Sequence, residues 1–350
     1  MKIVDLSDKK GKKAFLSFRR NLYRGDGEYV MTSEFPLTDL LYGKSVFARE
    51  CFVRPVAVTS DGGEILAEAM LIFNDKLPLL QVSFFEALPD VREAVDLLIS
   101  EAGREARKKG VKEVVVGLNA HISYGVGILT EGFGRKISLD SIYNKPYYRD
   151  YFAGMRKETL SAYRGEKAET ESKLTDPLSP ITVCKADMKR FREETERMRA
   201  VCEKTIAKTF LYYRTEKDHF YHLMRDLKPF LSGENLLFAV NAKGEDVGFL
   251  FWHPDFNQML KGGRNYTAAG IALAKILHGR KIDTAKLNAI GCLSPSATAA
   301  LLSALNGILK DRYRYLETNF VWDNNLRSGS INRHFFHKPF RKYEVFFTDV

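Results

Sequence analysis

A chain of 350 residues exceeds the size at which one hydrophobic core stops growing, so two domains are expected. Its 45 % hydrophobic and 28 % charged residues are those of a globular protein and exclude disordered, collagen-like and coiled-coil classes. The net charge of +10 leaves anionic ligands open, although its clusters (Lys9 to Lys13, Arg104 to Lys112, Lys310 to Arg314, Arg333 to Lys342) also read as solvated helix faces.

In chain order, Cys51 to Phe73 reads as a hairpin around Asp61-Gly62-Gly63, whose glycines supply the positive φ of a tight turn. A third strand is expected at Leu79 to Phe85. From Asp90 to Lys109 the apolar positions Val91, Ala94, Val95, Leu98, Ala102 and Ala106 recur at helical spacing, with Asp90 as N-cap candidate and Gly110 as the stop. Glu113 to Leu118, with its Val114-Val115-Val116 run, predicts a buried parallel strand. A Gly-rich stretch follows, then the aromatic cluster Tyr143, Tyr147, Tyr148, Tyr151 and Phe152, and a closing strand near Leu160 to Tyr163.

Residues 166–180 lack periodicity and contain Pro177 and Pro180, which predicts a linker between an N-terminal domain (1–165) and a C-terminal one (181–350). Beyond it come a strand at Ile181 to Cys184, a helix from Asp187 and a second helix over Glu216 to Leu231. The hairpin Leu236 to Trp252 turns on Ala242 to Glu245, and an irregular stretch runs to about Ile282. The chain ends as strand (Lys286 to Cys292), helix (Ser296 to Leu309), strand (Tyr315 to Val321), short helix (Leu326 to His334) and strand (Tyr343 to Phe347). This order repeats that of the first half, and Gly63-Glu64 answers Gly244-Glu245 at the same turn. Each half is therefore expected to be a twisted mixed α/β sheet with helices on its faces.

The four cysteines, Cys51, Cys184, Cys202 and Cys292, form no C-x-x-C pair, which argues against a disulfide framework or zinc site and for a reducing compartment. No run approaches a membrane span, and the N-terminus is charged, so a cytoplasmic location is the expectation. His219/His222 and His334/His337 could each share a helical face, but no third or fourth ligand completes either pair, so no metal is expected. Nucleic acid would require a recognition motif that the charge clusters do not accompany, tRNA being the one exception considered below.

The hairpin at Glu245 to Phe249, the strand, helix, strand order after it, and Asp323-Asn324 opening a short helix resemble a GNAT acyl-CoA N-acyltransferase domain. Glu317 to Asn324, Ile331, Lys342 to Phe346, Val247 to Asn257 and Tyr143 to Phe152 are similar to a bacterial family with two tandem GNAT-like halves. The resemblance implies acyl transfer from acyl-CoA, usually acetyl-CoA, to a small-molecule or peptide amine, with no metal. It also implies that pantetheine lies between two splayed strands and that pyrophosphate sits at a helix N-terminus, where unpaired N–H groups and the helix dipole favour an anion.

That turn would be Ile290 to Ser296, with Gly291, Cys292, Ser294 and Ser296 as cofactor contacts. It departs from the family's Arg/Gln-x-x-Gly-x-Gly/Ala pattern, and Pro295 removes one donor. The first-half counterpart, Glu86 to Asp90, carries carboxylates that repel phosphate, so the first half is expected to be a degenerate, non-binding copy. Glu317 is the candidate base and Tyr343 the candidate acid for amine acylation, each also readable as a salt-bridged or packing residue. Asn324 could contact pantetheine, or Asp323 or Asn324 could cap a helix. Trp252, His253, Asp255 and Asn257 are the candidate acceptor-site residues, with turn formation around Pro254 as the alternative. Residues 261–280 read as a lid or an ordinary loop, and Cys292 as a nucleophile or a small core residue. Two other functions stay open: an inert module that binds a ligand between its halves, and a Fem-type aminoacyltransferase using aminoacyl-tRNA.

Overall fold

The computed structural model describes residues 1–30, 34–167, 180–336 and 338–350. The first half runs β1 (Lys2–Asp5), α1 (Lys9–Leu22), α2 (Glu34–Leu41), α3 (Phe47–Glu50), β2 (Phe52–Thr59), β3 (Ile65–Asn74), β4 (Leu77–Ala87), α4 (Arg92–Lys108), β5 (Glu113–Val116), β6 (Ile128–Glu131), α5 (Tyr148–Tyr151) and β7 (Arg156–Glu166). The second runs β8 (Thr182–Lys185), α6 (Phe191–Thr205), α7 (His219–Met224), β9 (Leu236–Val240), β10 (Asp246–Pro254), α8 (Ala268–His278), β11 (Thr284–Cys292), α9 (Pro295–Leu309), β12 (Tyr315–Thr318), β13 (Val321–Trp322), α10 (Leu326–Phe335) and β14 (Pro339–Asp349). Most of the expected linker lies outside the described residues.

The repeat read from the turns is structural. Ser60 N–H donates to Glu64 O at 2.9 Å and Asn241 N–H to Glu245 O at 3.0 Å. Gly63 and Gly244 follow with φ of 85° and 79°, in the left-handed region that a side chain disfavours. In both halves the fourth and fifth strands pair in parallel across a crossover helix, β4 with β5 and β11 with β12.

The halves share one mixed sheet of order β1-β2-β3-β4-β5-β14-β7-β12-β11-β10-β9-β8, and they exchange their last strands. β14, the end of the second half, lies between β5 and β7, pairing Phe346 with Val116 and Tyr343 with Leu160. β7, the end of the first half, pairs Glu317 of β12 with Arg164. Buried Tyr343, Val345 and Phe347 thereby join the central core with Leu129, Val115 and Trp322. Helices cover both faces of each half: α4 packs on β2 to β5, α9 on one face of β8 to β11, and α6 on the other face of β10 and β11.

Three local readings change. The helix expected over Glu216 to Leu231 is the shorter α7, followed by a 3₁₀ turn at Lys228–Phe230, because Pro229 lacks the N–H a continuing helix needs. The stretch before Ile282 contains α8, started by Thr267, whose hydroxyl accepts from Gly270 N–H. Asp90, with φ of 58°, precedes α4 and is not its cap.

Candidate active site

β11 and β12 pair only from Thr284–Tyr315 to Leu287–Thr318. Past that point Asn288 is bulged out of the β10 ladder, where Phe251 pairs with Ala289 and Trp252 with Leu287. A bulge bends its strand away from the neighbour, and the chain after Thr318 turns off to pair with β7 as β13. The sheet opens into a V, and among the described residues the β12-facing edge of β11 has no strand partner after Leu287.

A cavity of about 1010 Å³ fills this V. On one face it is lined by Ile290, Cys292, Thr298, Leu302 and Asn324, and on the other by Met198, Cys202, Phe249, Phe251 and Gly291. It therefore passes through the sheet. At the V, Asp140, Ser141 and Asn288 supply polar lining, the first two from the segment between β6 and α5 of the first half.

Behind that lining is a buried polar network. Asp140 Oδ2 stands 3.2 Å from His253 Nε2 and accepts from Asn288 Nδ2 at 3.3 Å. His253 is wholly buried, with Nδ1 2.9 Å from Pro254 O. Burial works against the Asp140 charge, but His253 and Lys286 hold its carboxyl below the usual range. Lys286, also wholly buried, donates to Leu139 O at 2.7 Å and to Ser141 Oγ. Burial lowers its pKa against the opposing pull of Glu317, Asp140 and Asp255. Asp255 is pushed up to about 6 by burial and by Glu317.

The predicted residues divide by position. Glu317 sits beside Lys286 in register on β12, accepts from Ser138 Oγ at 2.6 Å and is buried behind the cavity wall. Tyr343 is buried there too, its phenol pushed up to about 12 by burial. Asp255 accepts from Leu139 N–H at 3.0 Å and Asn257 donates to Ile137 O at 3.0 Å, so both clasp the first-half segment. Strand alternation turns Trp252 to the opposite face, where its ring packs on Tyr313 and its Nε1 donates to Glu234 O at 2.6 Å.

Ile290, Gly291, Cys292 and Asn324 line the cavity. Ser294 caps α9, accepting from Ala297 N–H at 3.2 Å. Pro295 has no N–H, and Thr298 N–H is taken by Ser294 O, so the buried Ser296 offers the remaining donor of that turn. Asn325, one residue after Asn324, caps α10. Among the described residues, none of 261–280 lines the cavity; Gly263 instead donates to Tyr29 O at 2.7 Å on the first half.

His219 is enclosed by Phe47, His121 and Phe220, and His337 lies outside the described residues. No metal-ligand cluster occurs among the described residues, nor does any described helix have the length and apolarity to cross a membrane. Sequence reasoning missed Asp140, Ser141, Asn288 and Lys286; a lysine within the mainly apolar strand β11 is the one signal for the last.

The equivalent V of the first half is largely filled, holding a pocket of about 50 Å³ past the last β4–β5 pair. Past the last β4–β5 pair, Val82–Val116, Ser83 Oγ donates to Leu118 O at 2.6 Å and Asn119 Oδ1 accepts from Phe84 N–H at 2.7 Å. Tyr148 Oη accepts from Ala87 N–H at 2.8 Å, Tyr147 Oη donates to Ala87 O at 2.8 Å, and Tyr151 Oη donates to Leu88 O and accepts from Val91 N–H. The aromatic cluster thus occupies the cleft and satisfies the main-chain groups along it.

No protein-family model matches the chain, and no curated protein matches it in sequence. Solved structures do match in fold. A tandem GNAT protein from the clavulanic acid biosynthesis pathway is 13% identical, covers 99% of this chain and 98% of its own, and superposes with a TM-score of 0.56. A conserved protein of unknown function from Enterococcus faecalis V583 is 9% identical, with 100% of this chain and 72% of its own covered and a TM-score of 0.56. The GCN5-related glucosamine N-acetyltransferase region of a fungal multi-domain β-N-acetylglucosaminidase gives 12% identity and a TM-score of 0.53 over 99% of this chain and 38% of its own.

Proposed function

We propose, from the premise that the chain has the tandem GNAT fold, that it is an acyl-CoA-dependent N-acyltransferase whose single working site is the open V of the second half. The observation that carries this reading is the contrast between the two clefts. One is plugged by the hydroxyls of Tyr147, Tyr148 and Tyr151, while the other is a through-sheet cavity edged by an unpartnered strand. Such an edge suits the amides of a pantetheine arm, which extend it as a strand would.

In this reading the thioester enters from the α9/α10 face and the amine meets it at the V. Asp140, ionised and facing the cavity, accepts a hydrogen bond from the acceptor's N–H; the amine attacks the carbonyl carbon as the neutral base, and the proton its nitrogen sheds passes by way of Asp140 to the departing sulfur. The C–N bond forms, the C–S bond breaks, and the sulfur leaves as a thiol after taking up a proton. Glu317, Lys286 and Tyr343 act from behind, fixing the segment that carries Asp140 and Ser141, and His253 orients the Asp140 carboxylate. The acceptor is a small-molecule or peptide amine.

Thermal unfolding with and without CoA tests the reading, since a ligand at 100 times its Kd stabilises the native state by about 2.7 kcal/mol. The blocking variant is Thr298→Trp, on the α9 face of the cavity. Gly291 is unsuitable, because its Cβ would strike Thr205 and Phe249 on the opposite face. A shift that the variant abolishes supports the acyltransferase. No shift with any thioester favours a binding module without acyl transfer, the reading supported by the single donor left at the α9 entrance.

A further inference from the structure

Beyond the sheet, on the α6/α7 face, the cavity wall includes Met198, Cys202, Phe220, Met224, Phe249 and Phe251. These side chains belong to one core cluster of buried residues. Protein interiors close over apolar space, and an unfilled apolar void costs stability in proportion to its volume. The cavity of about 1010 Å³ takes in both the α9/α10 face and the α6/α7 face, and an acetyl group whose carbonyl sits at the V leaves the α6/α7 side of it unfilled.

The polar lining is placed unevenly along this passage. Asp140, Ser141 and Asn288 stand at the V, where β11 and β12 part, and Thr205, Lys208 and Thr209 line the cavity at and after the C-terminal end of α6, whereas the six side chains named above offer no hydrogen-bonding group stronger than a thiol. The reacting carbonyl belongs beside the polar groups. A substituent on that carbonyl points away from the sulfur, and with CoA on the α9 face it runs through the V toward α6 and α7.

We infer that the apolar chamber between β10, β11, α6 and α7 is an acyl-chain pocket, and that the donor carries a straight aliphatic chain well longer than acetyl. This rests on the acyltransferase reading above and adds the class of donor. Met198 and Met224 suit the role, since unbranched thioether side chains adapt to a flexible aliphatic ligand.

Calorimetric titration of the full chain with CoA, acetyl-CoA, hexanoyl-CoA and decanoyl-CoA tests it, using the parent, Met198→Trp and Met224→Ala. The parent is expected to bind about fourfold tighter per added methylene, from roughly 0.8 kcal/mol for each one buried, until the pocket is full. Met198→Trp, which narrows the chamber, should abolish the gain for decanoyl-CoA with the affinity for CoA retained. Met224→Ala, which enlarges it, should carry the gain to longer chains, and one of the two variants suffices if the other fails to fold. Equal affinity for acetyl-CoA and decanoyl-CoA, or a gain that survives Met198→Trp, overturns the pocket and leaves the acyltransferase reading standing. Binding of decylamine that depends on Met198, with no dependence on acyl length, assigns the chamber to the acceptor and equally overturns it. No binding of any CoA species removes both readings together.

Discussion

Asp140, from the first half, and His253, from β10 of the second, meet with Oδ2 and Nε2 3.2 Å apart, so the carboxylate facing the cavity is held by a ring that the other half supplies. Asp140→Asn keeps the shape and removes the charge. It should lower kcat/KM for amine acylation about 10²- to 10³-fold, within the range of general acid–base groups, and leave stabilisation by CoA unchanged. Steady-state kinetics beside thermal unfolding separates the two effects, and a loss of both would place Asp140 in the fold and not in the reaction.

Glu68 of β3 is wholly buried, and neither carboxylate oxygen has a hydrogen-bond partner among the described residues. Burial and the neighbouring Glu86 raise its pKa well above the usual value, against the pull of Arg19. The folded chain therefore holds a proton that the unfolded chain releases above about pH 4.5, and stability falls as pH rises beyond that point. Glu68→Gln leaves an equally unpaired polar group but one that does not titrate, so it should flatten this decline. Urea unfolding at pH 5 and pH 8 measures it; a variant as pH-sensitive as its parent would sink the assignment.

His121 and His219 pack ring to ring at 5.3 Å. Burial lowers His121 to about 3 and His219 well below its usual value. For a base the sign reverses: the unfolded chain takes up protons below about pH 6.5 that the folded chain refuses, so stability is lost as pH falls. Each ring contributes a slope of about 1.4 kcal/mol per pH unit once the unfolded histidine is charged. His219→Phe, replacing a ring already set edge-on to Phe47 at 4.6 Å, should remove one ring's share, read from denaturant midpoints between pH 5 and pH 7.

Truncation before Pro339 removes β14 and with it the buried Tyr343, Val345, Phe346 and Phe347, each worth about 1.5–3 kcal/mol when buried. It also strips β5 and β7 of their shared partner. The shortened chain should show no cooperative unfolding transition in either half. A surviving transition from the first half alone would contradict the exchange of strands.

Much of the fold is legible in sequence because it is local. The turns at Gly63 and Gly244, the valine run of β5 and the amphipathic α4 each carry their own signature, and the repeat follows from their order. α8 is not legible: Ala268 to His278 is apolar nearly all round, leaving Ile276 81% exposed, so no polar face marks its period. The site is legible only where one segment suffices. Ile290 to Cys292 stand at the V because they end a strand before a helix. The tyrosine cluster is conspicuous, but its partners Glu86 to Val91 lie some sixty residues earlier, and only the fold shows that it fills a cleft. Asp140 and Lys286 meet across 146 positions, a pairing that no local pattern encodes.

The exchanged strands also constrain the order of events during synthesis. A chain leaves the ribosome N-terminus first, and a domain ordinarily folds as soon as it is complete. Here the first half waits for residues 339–349, made only after all the other strands of the second half, with β5 and β7 exposed until then. Open strand edges invite pairing with other chains, so the interval before β14 docks is when the nascent protein has most need of a chaperone.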